Sequence, residues 1–363
     1  MLVDIIAGAR PNFVKIAPLI KEFRARAQRR FGLKYRLIHT GQHYDQRMSA
    51  DFFDQLGIPE PDINFGVGSG THAAQTAAIM IAYERVIQDK RPSLTMVFGD
   101  VNSTFACAVV AKKFEVPVAH VEAGIRSGDL SMPEEINRIL TDSITDYFFT
   151  TSESAGANLL RLGVSAKNIF FVGNTMIDCL KQNQSRFTPP DFFEMLALKP
   201  RQYFVITLHR PANVDDANRL TELLNLISTL VKDDPVVFPI HPRTRQMLGS
   251  EVEFRKNICI VQPQPYLQFN FLVQNARAVL TDSGGITEET TLMNVPCLSL
   301  RLNTERPETI EQGTTELVGV SPDAISTAIN RVFKGQWKKG SLPKYWDGKT
   351  SARIMDHLES LFC

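Results

Sequence analysis

Short, nearly all-apolar runs separated by longer stretches of helical periodicity constrain this chain more than any other feature. Leu94–Phe98 and Val116–Val121 carry almost no polar residue, the pattern of strands covered on both faces rather than one. In the first half, strands are expected at Leu2–Ala7, Tyr35–His39, Leu94–Phe98, Val116–Val121, Tyr147–Thr150 and Ile169–Val172, with helices at Phe13–Arg24, Ala73–Ile87, Ser103–Phe114, Glu135–Ser143 and Glu153–Leu162 between them. The second half repeats the rhythm without repeating the sequence. Its expected strands are Tyr203–Leu208, Val236–Ile240, Ile258–Val261, Ala278–Leu280, Cys297–Leu300 and Leu317–Gly319, with helices at Arg219–Val231, Tyr266–Gln274 and Ile286–Met293. Two βαβ arrays in series imply an α/β protein made of two parallel, doubly wound sheets. A length of 363 residues exceeds what one core usually holds, which also argues for two domains. The join is expected near Gly173–Asn174, with Pro189-Pro190 as a competing boundary.

Charge and cysteine usage exclude several function classes. Acidic and basic residues nearly cancel, to a formal net charge of +1, so nothing favours a nucleic-acid or membrane-surface partner. No apolar run approaches bilayer-spanning length, and the N-terminus lacks the basic region of a signal peptide. Cys107, Cys179, Cys259, Cys297 and Cys363 are scattered and form no CxxC pair. They read as buried thiols of a reducing, cytoplasmic compartment.

Ligands of open α/β sheets bind outside the carboxyl ends of the strands, so the polar residues that follow each strand are the candidates. After the first strand come Arg10 and Lys15, both placed to face an anion at a helix start. Thr40-Gly41-Gln42-His43 follows the second strand and Gly99-Asp100 the third. The fourth runs into His120-Val121-Glu122-Ala123-Gly124, then Arg126, Asp129 and Pro133-Glu134-Glu135. His209-Arg210, His241-Pro242-Arg243 and Thr304-Glu305-Arg306-Pro307-Glu308 occupy the same kind of position in the second half.

Thr281-Asp282-Ser283-Gly284-Gly285 is the most specific of these turns. A strand ending in Ser-Gly-Gly and opening a helix converges backbone N–H groups and the positive end of a helix dipole, an arrangement that favours phosphate. An ordinary βα turn would also use such glycines. Glu288 and Glu289 are expected in the first helical turn, where a carboxylate can meet a ribose. A lone carboxylate after a strand is more often a helix cap than an acid or base, and Asp100, ahead of Ser103, fits that reading. Glu122 does not, because it ends an apolar strand and precedes Gly124. Glu134 and Glu135 could simply complement a helix dipole. His209 stands beside an arginine at a strand end, which suggests an anion site, whereas His43, His72 and His357 read as surface or packing residues.

No Walker A sequence and no GxGxxG opening a helix is present, and no His/Cys/Asp cluster has metal-ligand spacing. Gly66-Val67-Gly68-Ser69-Gly70 follows no strong strand and reads as a mobile loop. What remains is an anion site in the second half and carboxylates in the first, suited to group or proton transfer on a phosphorylated or nucleotide-linked substrate.

These residues, in this order and spacing, resemble the UDP-N-acetylglucosamine 2-epimerases nearly end to end. The matching segments are Gly8-Ala9-Arg10-Pro11 with Lys15, Thr40-Gly41-Gln42-His43, Gly99-Asp100, His120–Gly124, Pro133-Glu134-Glu135 with Asn137-Arg138, Thr281–Gly285 with Glu288-Glu289, and Glu305-Arg306-Pro307-Glu308. The resemblance, closest to the non-hydrolysing bacterial type, implies two Rossmann-like domains facing a deep cleft, as in the glycosyltransferase-B group. Residues 1–173, completed by a C-terminal helix at 349–363, would form the sugar and acid–base side, and residues 174–348 the UDP side. Ser283, Gly284 and Gly285 would hold the diphosphate, Glu289 the ribose, Gln264 and Phe269 the uracil, and Arg306 the nucleotide or sugar. Arg10 and His209 would neutralise the leaving diphosphate, while Asp100, Glu122 and Glu134 would be the acid–base carboxylates.

The implied reaction inverts C2 of UDP-N-acetylglucosamine by elimination and re-addition of UDP, needs no cofactor or metal, and belongs to a cytoplasmic homodimer. A hydrolysing epimerase, an epimerase of a UDP-diacetamido-uronic acid, a glycosyltransferase of the same fold and a non-catalytic UDP-sugar sensor are the alternatives. Many relatives carry His-Arg-Arg-Glu and Arg-Gln-Thr where this chain has His209-Arg210-Pro211-Ala212 and Ala74-Gln75-Thr76. Those segments help bind an activating second substrate molecule in the family, so activation is expected to be weak or absent here.

Overall fold

A computed structural model describes residues 1–27, 33–41, 52–248 and 256–362 of the chain. Gln42, His43 and Cys363 lie outside the described residues. The chain divides into two compact units, one formed by Met1–Gln182 with Lys344–Cys363 and the other by Asn183–Pro343.

The first unit holds a seven-stranded parallel sheet in the order β3-β2-β1-β4-β5-β6-β7. Its strands are β1 (Leu2–Ala7), β2 (Lys34–His39), β3 (Ile63–Asn64), β4 (Leu94–Phe98), β5 (Val118–Val121), β6 (Tyr147–Thr150) and β7 (Ile169–Phe171). Helices cover both faces, which is why β4 can be buried along its whole length. Val116–Val121 was expected as one strand, but pairing starts only at Val118, because Pro117 has no N–H to give the ladder. Its carbonyl still accepts from Thr95 N at 2.9 Å. The two-residue β3 was not expected, being too short to show any period.

The first unit runs on past the Gly173–Asn174 join expected from the sequence. The helix Thr175–Asn183 carries Asp178, whose carboxylate accepts from Thr350 N at 3.0 Å and Ser351 N at 2.7 Å. These bonds tie the helix to the last helix, Thr350–Phe362, which also packs on Arg10–Arg26. Arg26 donates there to Asp356 at 2.7 Å and Glu359 at 3.1 Å.

The second unit repeats the winding in a six-stranded parallel sheet, β10-β9-β8-β11-β12-β13. The strands are β8 (Phe204–Thr207), β9 (Val236–Pro239), β10 (Ile258–Val261), β11 (Ala278–Thr281), β12 (Cys297–Ser299) and β13 (Thr315–Leu317). Phe204, Ile206, Leu220, Leu224, Ile227, Phe238 and Leu280 are fully buried in its core. Each such side chain contributes roughly 1.5–3 kcal/mol of transfer free energy. β13 is displaced from the expected Leu317–Gly319. Thr315–Leu317 pairs with Cys297–Ser299, and Gly319 turns out of the ladder at φ +66°. The helix Pro322–Phe333, which the sequence reading did not include, starts on a proline at its first position, where no N–H is needed. Among the described residues, no helix is long and apolar enough to cross a membrane.

Candidate functional site

In the first sheet the strand order reverses between β1 and β4, so the loops after these strands splay apart there. Asn12, in the first turn of the helix Arg10–Arg26, stitches the two loops together. Its Oδ1 accepts from Gly8 N and Ala9 N at 3.0 Å, and its Nδ2 donates to Phe98 O at 2.9 Å. Arg10 opens that helix and lies over the Phe52 ring, 4.8 Å from its centroid. Lys15 is buried and forms an ion pair with Glu122.

Glu122 is a buried non-glycine residue at φ +78°, a conformation that costs about 1–3 kcal/mol and concentrates at functional sites. Gly99, at φ +64°, lies beneath this pair: a Cβ there would sit 2.6 Å from Lys15 Nζ and 3.7 Å from Glu122 Oε2. The Gly99, Lys15 and Glu122 positions therefore close on one another, and a side chain at the first would be strained at that φ and would displace Lys15 Nζ.

The helix Asn102–Lys113 has Val101 at its N-cap, which makes no side-chain cap bond, and the Asp100 carboxylate accepts from Arg138 at 2.5 Å. Asn137 donates to Asp100 O at 2.9 Å. Arg138 also bonds Glu135 at 2.8 Å, and Glu135 accepts from Ser127 N and Gly128 N. Burial would raise the Glu135 carboxyl, but these N–H groups and Arg138 hold it below the usual carboxylate range. Glu134, its neighbour in the same first helical turn, is exposed. The structure thus joins Lys15, Glu122 and the Gly99–Asp100 turn and leaves Glu134 at the surface.

Behind this group lies a pair that sequence reasoning missed. His120 and Asp142 are buried, with Nδ1 2.7 Å from Asp142 Oδ1 and Nε2 2.8 Å from Gly99 O. Asp142 Oδ2 accepts from Gly124 N at 3.1 Å and pairs with Arg126 at 2.7 Å. Burial works to raise the Asp142 carboxyl, yet His120 and Arg126 hold it below the usual range.

The second sheet reverses between β8 and β11, and a buried aspartate does the stitching there. Asp282 accepts from His209 N at 3.1 Å, Arg210 N at 3.0 Å and Asn213 Nδ2 at 3.0 Å. The His209 ring, with a side chain 61% exposed, places Nδ1 2.7 Å from Asp282 Oδ1. Burial pushes the Asp282 carboxyl up, but these donors, His209 foremost, hold it below the usual range.

The helix that follows is Gly284–Leu292, with Ser283 at its N-cap supplying no side-chain cap. Its first N–H groups form the positive end of a helix dipole, an arrangement that favours anions in general. Beside it, Glu305 accepts from Arg301 at 2.6 Å and Arg210 at 3.2 Å, so two guanidiniums share one carboxylate. Because this helix starts at Gly284, Glu288 and Glu289 lie beyond its first turn, not within it as expected. Both are buried. Glu288 pairs with Arg306 at 2.9 Å. Burial raises the Glu289 carboxyl to about 8, against a hydrogen bond from Asn270. Gln264 donates to Gln262 O at 2.7 Å, and Phe269 lies half-buried in the first turn of Tyr266–Asn275.

A family model described as UDP-N-acetylglucosamine 2-epimerase matches residues 25–359. The chain belongs to the UDP-N-acetylglucosamine 2-epimerase family. It is an isomerase, and its two parallel sheets are those of the glycosyltransferase-B-like fold. The UDP-N-acetylglucosamine 2-epimerase of Methanocaldococcus jannaschii is 40% identical over 368 residues, covering 98% of each chain. The UDP-2,3-diacetamido-2,3-dideoxy-D-glucuronate 2-epimerase of Pseudomonas aeruginosa is 38% identical over 363 residues, covering 98% of this chain and 99% of that one. A crystal structure of the Methanocaldococcus jannaschii UDP-GlcNAc 2-epimerase in complex with UDP-GlcNAc and UDP superposes with a TM-score of 0.89 at 39% identity, over 99% of this chain and 100% of that chain.

For a 2-epimerase, the residues missed by sequence reasoning are those that hold others in place. Asp282 and Arg138 were inside recognised segments, and only their partners were hidden. Asp142 lies in the last turn of the helix Pro133–Ile144 and carries no local signal at all.

Proposed function

We propose that this epimerase interconverts UDP-N-acetylglucosamine and UDP-N-acetylmannosamine by eliminating and re-adding UDP. The C2 proton of the hexosamine is not next to a carbonyl, so its acidity must come from C1. As the C1–O bond breaks, its electron pair leaves with UDP and C1 becomes oxocarbenium-like. A carboxylate then takes the C2 proton, and the C–H electron pair forms the C1–C2 double bond of 2-acetamidoglucal. Return of a proton to the opposite face of C2, with UDP oxygen adding to C1, gives the epimer.

The observation that carries this reading is the uncapped start of the helix Gly284–Leu292, at the switch point of the second sheet. In this reading Ser283, Gly284 and Gly285 bind the diphosphate, and His209 and Arg10 stabilise it as a leaving group. Glu289, held neutral near pH 7, can both donate to and accept from ribose hydroxyls. Arg306 contacts the nucleotide or sugar, and Gln264 and Phe269 the uracil. Glu122, Asp100 and Glu134 supply and return protons. The exposure of Glu134 makes it the least supported of the three.

A second reading, a UDP-diacetamido-glucuronate as substrate, is favoured by the 38% identity to the Pseudomonas aeruginosa enzyme. Incubation with each UDP-sugar separately, followed by proton NMR of the products, tests both. The proposal expects a second UDP-sugar, inverted at C2, from UDP-N-acetylglucosamine. Free N-acetylmannosamine with UDP would instead assign a hydrolysing epimerase, and inversion of the uronate alone the second reading. From the Ala74 and Pro211-Ala212 departures we further propose hyperbolic kinetics with UDP-N-acetylmannosamine. A sigmoidal curve relieved by trace UDP-N-acetylglucosamine would contradict that.

A further inference from the structure

The turns that carry Asp100 and Glu122 follow neighbouring strands, β4 and β5, and one buried pair is bonded to both. His120 Nε2 is 2.8 Å from Gly99 O, the carbonyl that precedes Asp100. A carbonyl can only accept, so Nε2 is a donor. His120 Nδ1 is 2.7 Å from Asp142 Oδ1, and Asp142 Oδ2 accepts from Gly124 N, two residues after Glu122. Both His120 and Asp142 are buried. Together they bridge the backbone on one side of the site to the backbone on the other.

We infer that the His120–Asp142 pair is a positioning device that sets the spacing between the Asp100 and Glu122 carboxylates. The inference rests on the epimerase reading above. Inversion at C2 needs one group to take a proton from one face and a second to return it to the other, while the glycal and UDP stay bound. An aromatic ring wedged between a fixed carbonyl and a fixed carboxylate has little freedom to let these two turns drift. The tight fit at Gly99, where Lys15 Nζ fills the place of a side chain, transmits the same constraint to Glu122. Outer support comes from Arg126, which pairs with Asp142 at 2.7 Å and is less deeply buried than the pair. Loosening the pair should slow the returning proton, so that glycal and UDP escape before re-addition.

The test compares wild type with His120→Gln, Asp142→Asn and Arg126→Met, using UDP-N-acetylglucosamine. Rates and free 2-acetamidoglucal are followed by NMR, and UDP affinity by calorimetry. The two buried substitutions are expected to lower kcat about 10²-fold, the scale of a small misplacement of reacting groups. KM and UDP affinity should stay near wild type, and the share of turnovers ending in free glycal should rise. Arg126→Met, outside the core of the pair, should shift both readouts the same way by less, and carries the test if a buried variant does not fold. Wild-type kcat without glycal release in the folded variants would overturn the inference, as would UDP affinity falling in step with kcat. Absence of C2 inversion by the wild-type protein would instead overturn the epimerase reading.

Discussion

In the first sheet, a neutral Asn12 joins the loops on either side of the strand-order reversal, and the surrounding charges are carboxylates held by Lys15 and Arg138. In the second sheet the same topological position is joined by an ionised, buried Asp282, whose donors are His209, Arg210 and Asn213. The scaffolds match strand for strand at their centres, so the contrast comes from the loop residues alone. A doubly wound sheet supplies the location of a site, and in the function proposed above a few strand-end residues would set whether that location handles protons or anions.

Substitutions that separate proton handling from anion handling test this contrast most severely. Glu122→Gln should lower kcat roughly 10²–10⁴-fold, the range for loss of an acid–base group, with UDP affinity unchanged by calorimetry. If UDP binding falls as well, the division between the two sheets fails.

A glycine from each region sharpens the comparison. A Cβ at Gly124, where φ is +79°, would lie 2.3 Å from Ala155 O, a backbone atom that cannot yield easily. Gly124→Ala should therefore cost at least about 1–3 kcal/mol of stability from backbone strain, visible as a lower Tm. A Cβ at Gly284 would meet nothing closer than Glu305 Oε2 at 3.8 Å. Gly284→Ala should leave Tm nearly unchanged and weaken UDP binding about tenfold, or about 1.4 kcal/mol, by blocking the anion's approach to the backbone. Equal losses of Tm in the two variants would contradict this.

A further expected effect concerns pH. Glu289 has a folded value of about 8, above its ordinary 4.5, so folding favours its neutral form. That contribution is full below pH 4.5 and is lost as pH rises through about 8. Asp142 and Asp282 act in the opposite sense: their contribution is present above the ordinary aspartate value of 3.8 and disappears as acid protonates them. Tm measured across this range should decline towards alkaline pH in wild type and decline less in Glu289→Gln. Parallel curves would show that Glu289 does not titrate in this window.

Much of the fold was legible because parallel strands buried on both faces leave an uninterrupted apolar signal. Leu94–Phe98 and Tyr147–Thr150 coincide with observed strands. The signal failed where strands were too short, as at Ile63–Asn64, or where glycine moved the end of pairing, as at Gly319.

Within the site, Glu122 could be picked out because it occurs where neither a cap nor an apolar residue explains it. Asp100 invited a capping interpretation because a helix follows it, and only the fold reveals its bond from Arg138. Likewise, His209 and Asp282 belong to different strand ends, and nothing in their local sequence says that they meet. Pairings of this kind depend on strand order, which periodicity alone does not give.

The most direct measurement is the fate of the C2 hydrogen when the purified protein turns over UDP-N-acetylglucosamine in D2O. The account predicts solvent deuterium at C2 accumulating in step with a second, C2-inverted UDP-sugar, both lost in Glu122→Gln. Inversion that retains the original hydrogen at C2, or turnover that never exchanges it, would contradict proton transfer by carboxylates of the first unit.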